Sequence, residues 1–185
     1  YECGIMKNFL WIKMKVIDSI INKKEQEELK STLLGRNFPW FYLNDITMNK
    51  GGQQRPGFSH YFVNDEKINS DWNSMTNNII NNSCKKTKIN YDKIIESRAF
   101  LQVPLHSNIT KNNLVDTPHI DRETKHTVIL YYVTTAVGDT IIYTDRGEKK
   151  IAPKQGRVVI FDGSLKHTAT QPTEDVRCVI NININ

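Results

Sequence analysis

From residue 118 to the end of the chain, strand-like segments follow one another with little but turns between them. They run over 118–121, 126–134, 139–144, 148–152, 157–161, 166–169 and 176–184. Val, Ile, Thr, Tyr and Phe fill them, while Gly138, Asp145-Arg146-Gly147, Pro153 through Gly156, Asp162-Gly163 and Pro172 supply turn chemistry between them. So many short strands at this spacing fit an all-β sandwich or barrel. In the last segment Cys178, Ile180, Ile182 and Ile184 alternate with Arg177, Val179, Asn181 and Asn183, a period of two. The apolar face is expected to pack on helices, and the mixed face to line a pocket with Arg177 and Asn181 directed inward. On the 126–134 segment the same alternation sets Val128, Leu130 and Tyr132 against Thr127, Ile129 and Tyr131.

The helices should come from the N-terminal half. Asn22 followed by Glu25 resembles a capping box, and Leu29, Leu33 and Leu34 form an apolar stripe ending at Gly35. Phe38–Leu43 reads as an aromatic strand with turns at Gly51-Gly52 and Pro56-Gly57, and Phe58–Val63 as another strand whose His60 is expected to be structural. Ser70 can cap a second helix with Trp72, Met75, Ile79 and Ile80 in the core. Ser97–Val103 then opens the barrel, with Arg98, Phe100 and Gln102 on one face. Residues 104–117, containing Pro104, Asn108, Asn112 and Asn113, read as a flexible loop, with a lid and a plain connection equally open. Residues 1–14 are set aside as disordered or extra to the fold. The chain of 185 residues has no Pro- or Ser-rich linker, so one domain is expected, with 15–96 as N-terminal helices and strands and 97–185 as the barrel.

A net charge of +5 and a pI near 9.0 would suit a nucleic-acid partner if the basic residues were clustered. They are interleaved with acids, as in Lys23-Lys24-Glu25-Gln26-Glu27-Glu28, which reads as solvated helix surface and argues against nucleic acid as a partner. No apolar run reaches membrane-span length, and the first residues lack signal-peptide order, so a soluble protein is expected. Cys3, Cys84 and Cys178 are odd in number and widely spaced, which argues against a disulfide framework or zinc knuckle and fits a reducing cytoplasm.

The chemistry concentrates in four residues. His119-Ile120-Asp121 would put an imidazole and a carboxylate on the same face of a strand, and His167 follows 46 residues after Asp121. Two imidazoles and one carboxylate on one face of a metal leave positions open, the arrangement of a non-haem Fe(II) that binds cosubstrate and oxygen. Arg177, ten residues after His167, could grip a carboxylate bidentately at the far end of the same pocket. His106 and His126 are the spare imidazoles, and His126 is expected at the solvent surface.

With these residues in place, the chain resembles an Fe(II)/2-oxoglutarate-dependent dioxygenase of the prolyl-4-hydroxylase-like branch. The resemblance rests on Thr117 through Asp121, Ile129 through Val133, Gly138-Asp139-Thr140, Pro153 through Gly156, Val159 through Gly163, His167, and Arg177 through Asn183, and covers residues 97–185. It implies a double-stranded β-helix, or cupin-like jelly roll, with helices packed on one sheet. It further implies Fe(II) held by His119, Asp121 and His167, and 2-oxoglutarate held by Arg177 with Tyr132, Asn181, Gln102 and Leu130 around it. O2 is the other reactant, ascorbate an occasional reductant, and a small molecule or peptide, such as peptidyl proline or a related amino acid, the substrate. Arg177 stands where collagen-type relatives have lysine, and Asp121 where halide-binding members have a small residue, which favours hydroxylation. Asn183 occupies the position of a second arginine found in nucleic-acid demethylases, which argues against that activity. A non-catalytic jelly-roll binding module is the competing reading.

Overall fold

The computed structural model describes residues 14–47, 54–111 and 113–185. Residues 1–13, the Gly51-Gly52 turn and Asn112 lie outside these. The strands are β1 (Met14–Ile17), β2 (Phe41–Leu43), β3 (Gly57–Asn64), β4 (Lys67–Ile68), β5 (Ile94–Gln102), β6 (Thr127–Tyr132), β7 (Thr140–Thr144), β8 (Gly147–Ile151), β9 (Val158–Asp162), β10 (His167–Ala169) and β11 (Arg177–Ile184). They form an eight-stranded sheet in the order β1-β9-β6-β11-β5-β3-β2, with β4 paired to β3, and a three-stranded sheet β10-β7-β8. The result is the expected jelly roll, mainly β with flanking helices.

Helix α1 (Lys23–Leu33) starts as its sequence dictates: the Asn22 side chain accepts from the Glu25 N–H, and the Glu25 carboxylate accepts from the Asn22 N–H. With α2 (Asn77–Thr87), it covers the outer face of the large sheet. Leu29, Leu33, Ile79 and Ile80 share a buried cluster with Ile129, Tyr131, Cys178, Ile180, Ile182 and Ile184. The opposite faces of the same strands meet the small sheet: Val128, Leu130, Tyr132, Val159, Phe161 and Val179 pack with Ile142 and Ile151. The period of two in the last strand is therefore a division between two cores.

Several local expectations give way. Met14 belongs to the fold, since it pairs with Phe161. The 38–43 segment is extended only from Phe41, because Pro39 has no N–H and Trp40 turns back to donate to the Phe38 carbonyl. Gly57 starts β3 instead of turning. The second helix is split: a 3-10 stretch over Asp71–Thr76, capped by Ser70, precedes α2. There Asn73 and Thr76 side chains bond to nearby carbonyls and compete with the α-helical pattern, and Trp72 remains 37% exposed. His126 is buried, its ring filling the space that Gly163 leaves by lacking a Cβ. Cys84 and Cys178 are free thiols in the core.

The loop before the metal-ligand motif is more ordered than its composition suggests. It contains a helical turn at Ser107–Thr110 and a bridge from Val115 to Thr170. Arg55 and Asp116, 1% and 5% exposed, form a buried ion pair at 2.9 Å that ties this loop to the segment before β3. Arg55 also donates to the Asn113 carbonyl at 2.6 Å, and the Gln171 amide donates to both Asp116 carboxylate oxygens at 2.9 and 2.8 Å.

Arg55→Leu would leave a buried carboxylate without its cation, and we expect a loss of about 3 kcal/mol in urea unfolding at neutral pH. Burial already raises the Asp116 pKa above the ordinary carboxylate value. A raised carboxylate binds its proton more tightly in the folded state, so acidification towards its folded pKa adds stability from this group. The deficit of the variant should therefore shrink on acidification, and a deficit that grows would contradict this account.

Candidate metal centre and its cavity

His119, Asp121 and His167 are brought together although their segment is not a strand. Pro118 cannot extend a ladder, and only His119 makes a bridge, donating to and accepting from the His167 backbone at 2.9 and 2.8 Å. One side-chain donor atom from each of the three residues lies within 4.8 Å of the others. Asp121 Oδ1 stands 3.6 Å from His119 Nε2 and 3.4 Å from His167 Nε2.

The imidazoles are oriented for metal binding. His119 Nδ1 is 3.2 Å from the Thr117 carbonyl and His167 Nδ1 3.2 Å from that of Leu165. A carbonyl can only accept, so each Nδ1 donates there and each Nε2 is the nitrogen turned to the centre. Asp121 Oδ2 accepts from the Asn181 amide at 2.9 Å, which leaves Oδ1 facing the imidazoles. Burial opposes ionisation of Asp121, but the His119, His167 and Asn181 donors outweigh it and hold its carboxyl well below the usual range. Burial likewise opposes protonation of His119, and the Asp121 hydrogen bond and charge overcome it, raising its pKa. Two imidazole nitrogens and an ionised carboxylate on one side of a cavity are a donor set that fits a divalent metal with open positions.

The triad lines a cavity of about 500 Å³ between the two sheets, which reaches Arg177, Gln102, Thr140, Leu130, Asn181 and Thr168. That volume lies within the range, roughly 300–1,000 Å³, typical of small-molecule sites. Arg177 is 4% exposed, and among the described residues its hydrogen bonds go to neutral groups: Gly138 carbonyl at 3.2 Å, Gln102 Oε1 at 2.6 Å and Thr140 Oγ1 at 2.8 Å. Among the described residues no carboxylate forms a salt bridge with it. A guanidinium buried without a counter-charge is costly, and an anion entering the cavity would relieve that cost. Burial pulls its pKa down, though a guanidinium remains protonated.

The other sequence-derived site residues divide. Gln102 and Leu130 line the cavity. Asn181 lines it as well, but its amide is committed to Asp121 rather than free for a cosubstrate. Tyr132 is fully buried behind Thr140, to which its hydroxyl donates at 2.7 Å, so it does not present that hydroxyl to the cavity. Thr140, missed in the sequence, accepts from both Tyr132 and Arg177, leaving its own hydrogen for a cavity ligand. It opens β7 two residues after a turn glycine, a position with no chemical signal of its own. His60 is structural, its ring nitrogens 2.9 Å from the Pro39 carbonyl and the Ser70 hydroxyl. His106 caps the Ser107–Thr110 turn.

No protein-family model matches the chain, and no curated protein does. Solved structures do. A 2OG-Fe(II) oxygenase family oxidoreductase from Burkholderia pseudomallei superposes with a TM-score of 0.73 at 10% identity, covering 94% of this chain and 85% of that one. A Trichoplax adhaerens prolyl hydroxylase, solved with a hypoxia inducible factor peptide, gives 0.67 at 12% identity over 93% and 83%. The viral collagen prolyl hydroxylase of Paramecium Bursaria Chlorella virus-1 gives 0.63 at 12% identity over 98% of both chains. Likeness at this sequence distance concerns architecture: the chain has the double-stranded β-helix fold of the 2-oxoglutarate- and Fe(II)-dependent oxygenases.

Proposed function

We propose that this protein is an Fe(II)- and 2-oxoglutarate-dependent oxygenase that hydroxylates an aliphatic C–H of a small-molecule or peptide substrate. The observation that carries the reading is the shared cavity: an oriented His119-Asp121-His167 set and an uncountered Arg177 line the same space. The fold of the structural neighbours supports it. The balance is 2-oxoglutarate, O2 and R–H to succinate, CO2 and R–OH, one oxygen atom going to each organic product. Bound iron would supply the site where O2 is activated. Ascorbate would serve only as an accessory reductant, and a reducing cytoplasm suits the free thiols.

The chain's own residues do the positioning. His119, Asp121 and His167 would hold the metal from one side, with Asn181 fixing Asp121 in a single orientation. Arg177 would receive the distal carboxylate of 2-oxoglutarate, with Thr140 donating beside it and Gln102 holding the guanidinium in place. Leu130 and Val179 give the stretch of cavity between the metal centre and Arg177 an apolar wall. A wall of this kind limits water around the reactants.

Anaerobic addition of Fe(II) and 2-oxoglutarate should produce the weak visible absorbance of an iron-bound keto acid, lost in His119→Ala and His167→Ala. No band in folded wild-type protein would remove the oxygenase reading in favour of a binding module. Arg177→Ala should weaken 2-oxoglutarate binding by about 2 kcal/mol or more, roughly thirtyfold, with metal affinity nearly unchanged. Asn181→Leu should instead weaken the metal by roughly 10–100-fold, read by competition with a chelating dye.

A further inference from the structure

Beside the metal centre the β5 face offers a second guanidinium with no assigned task. Strand register places Leu130, Asn181, Arg98 and Tyr61 in one row across the large sheet, so Arg98 lies directly opposite the asparagine that holds Asp121. Arg177 and Gln102 form another row four residues along, about 13 Å away at the usual rise per residue. A cosubstrate reaching from the metal towards Arg177 would run along β11, away from the Arg98 row. Arg98, Tyr61, Phe100 and Glu96 line the cavity there.

The Arg98 side chain is fixed in orientation. Its guanidinium carbon lies 4.7 Å from the Tyr61 ring centroid and 4.1 Å from that of Phe100, and Nη1 donates to the Tyr61 hydroxyl. Two rings and one hydroxyl hold its plane. Nε is sealed from solvent without a hydrogen-bond partner, and Nη2 makes no hydrogen bond among the described residues. Glu96 Oε1 stands 3.8 Å from Nε, an ion pair too long for a hydrogen bond. Glu96 is also drawn to Arg122, 3.6 Å from its other oxygen, so it is shared between two guanidiniums.

We propose that Arg98 anchors the substrate through a carboxylate. Nη2, for which the described residues supply no acceptor, can give a carboxylate oxygen a charge-assisted hydrogen bond. That guanidinium sits in the metal's own row. The inference rests on the oxygenase reading and narrows its substrate to a small carboxylic acid of the amino-acid kind, as opposed to an internal segment of a polypeptide.

The test uses protein loaded with Zn(II), which is redox-inert, and saturated with 2-oxoglutarate so that Arg177 is already filled. L-Proline, L-leucine and L-arginine are titrated calorimetrically, each as the free acid and as its α-carboxamide. At least one acid should bind about tenfold or more tightly than its amide. Arg98→Gln should erase that preference and Arg98→Lys should retain part of it, while both variants bind 2-oxoglutarate like wild type, which also shows them folded. Equal binding of acid and amide, no binding by any acid, or a preference that survives in Arg98→Gln would overturn the proposal. If 2-oxoglutarate itself fails to bind the zinc-loaded protein, it is the oxygenase reading that falls.

Discussion

The two backbone hydrogen bonds between His119 and His167 join parts of the molecule that share no continuous strand. His167 opens β10 in the small sheet, whereas His119 sits in a loop held on the other side by the buried Arg55–Asp116 pair. Without that bridge the imidazoles would depend on two separately moving segments. With it, their spacing is set by backbone geometry, and Asp121 two residues on is caught by Asn181 from the large sheet. Three supports, from the small sheet, the loop and the large sheet, converge on one point. Metal sites held within a fraction of an ångström need this kind of support.

Charge is arranged along the cavity with the same economy. Asp121 is the carboxylate between two imidazoles, and Arg177 is the cation surrounded by neutral acceptors. Each is unfavourable alone in a buried setting, and each is complementary to a charge that a ligand would bring. Asp116, also facing the cavity, differs in being satisfied within the protein by Arg55 and Gln171.

The sequence showed most clearly what depends on local period and short spacing. The capping box of α1, the two-faced last strand and the His119-Ile120-Asp121 pair needed no knowledge of distant residues. What it hid depends on partners far along the chain. Arg55 looks like one surface cation among many until Asp116, 61 residues later, is seen beside it. His126 seemed destined for solvent because its neighbours are charged, but the space beside Gly163 receives its ring. Tyr132 has the alternation of a pocket residue, and only the position of Thr140 decides that its hydroxyl stops one atom short of the cavity. Arg98 and Asn181 gain meaning only from the register between β5 and β11.

That register has a consequence for how such a site can change. The interval between Asn181 and Arg177 is counted in residues of one continuous, centrally placed strand paired on both sides. Side-chain replacement on the walls can make the cavity wider, narrower, wetter or drier. Its length resists such change, because inserting or deleting a residue in β11 would turn every later side chain to the opposite core. The two ends of the cavity are therefore calibrated by the backbone, and diversification is left to the flanks contributed by β3, β5 and the loops.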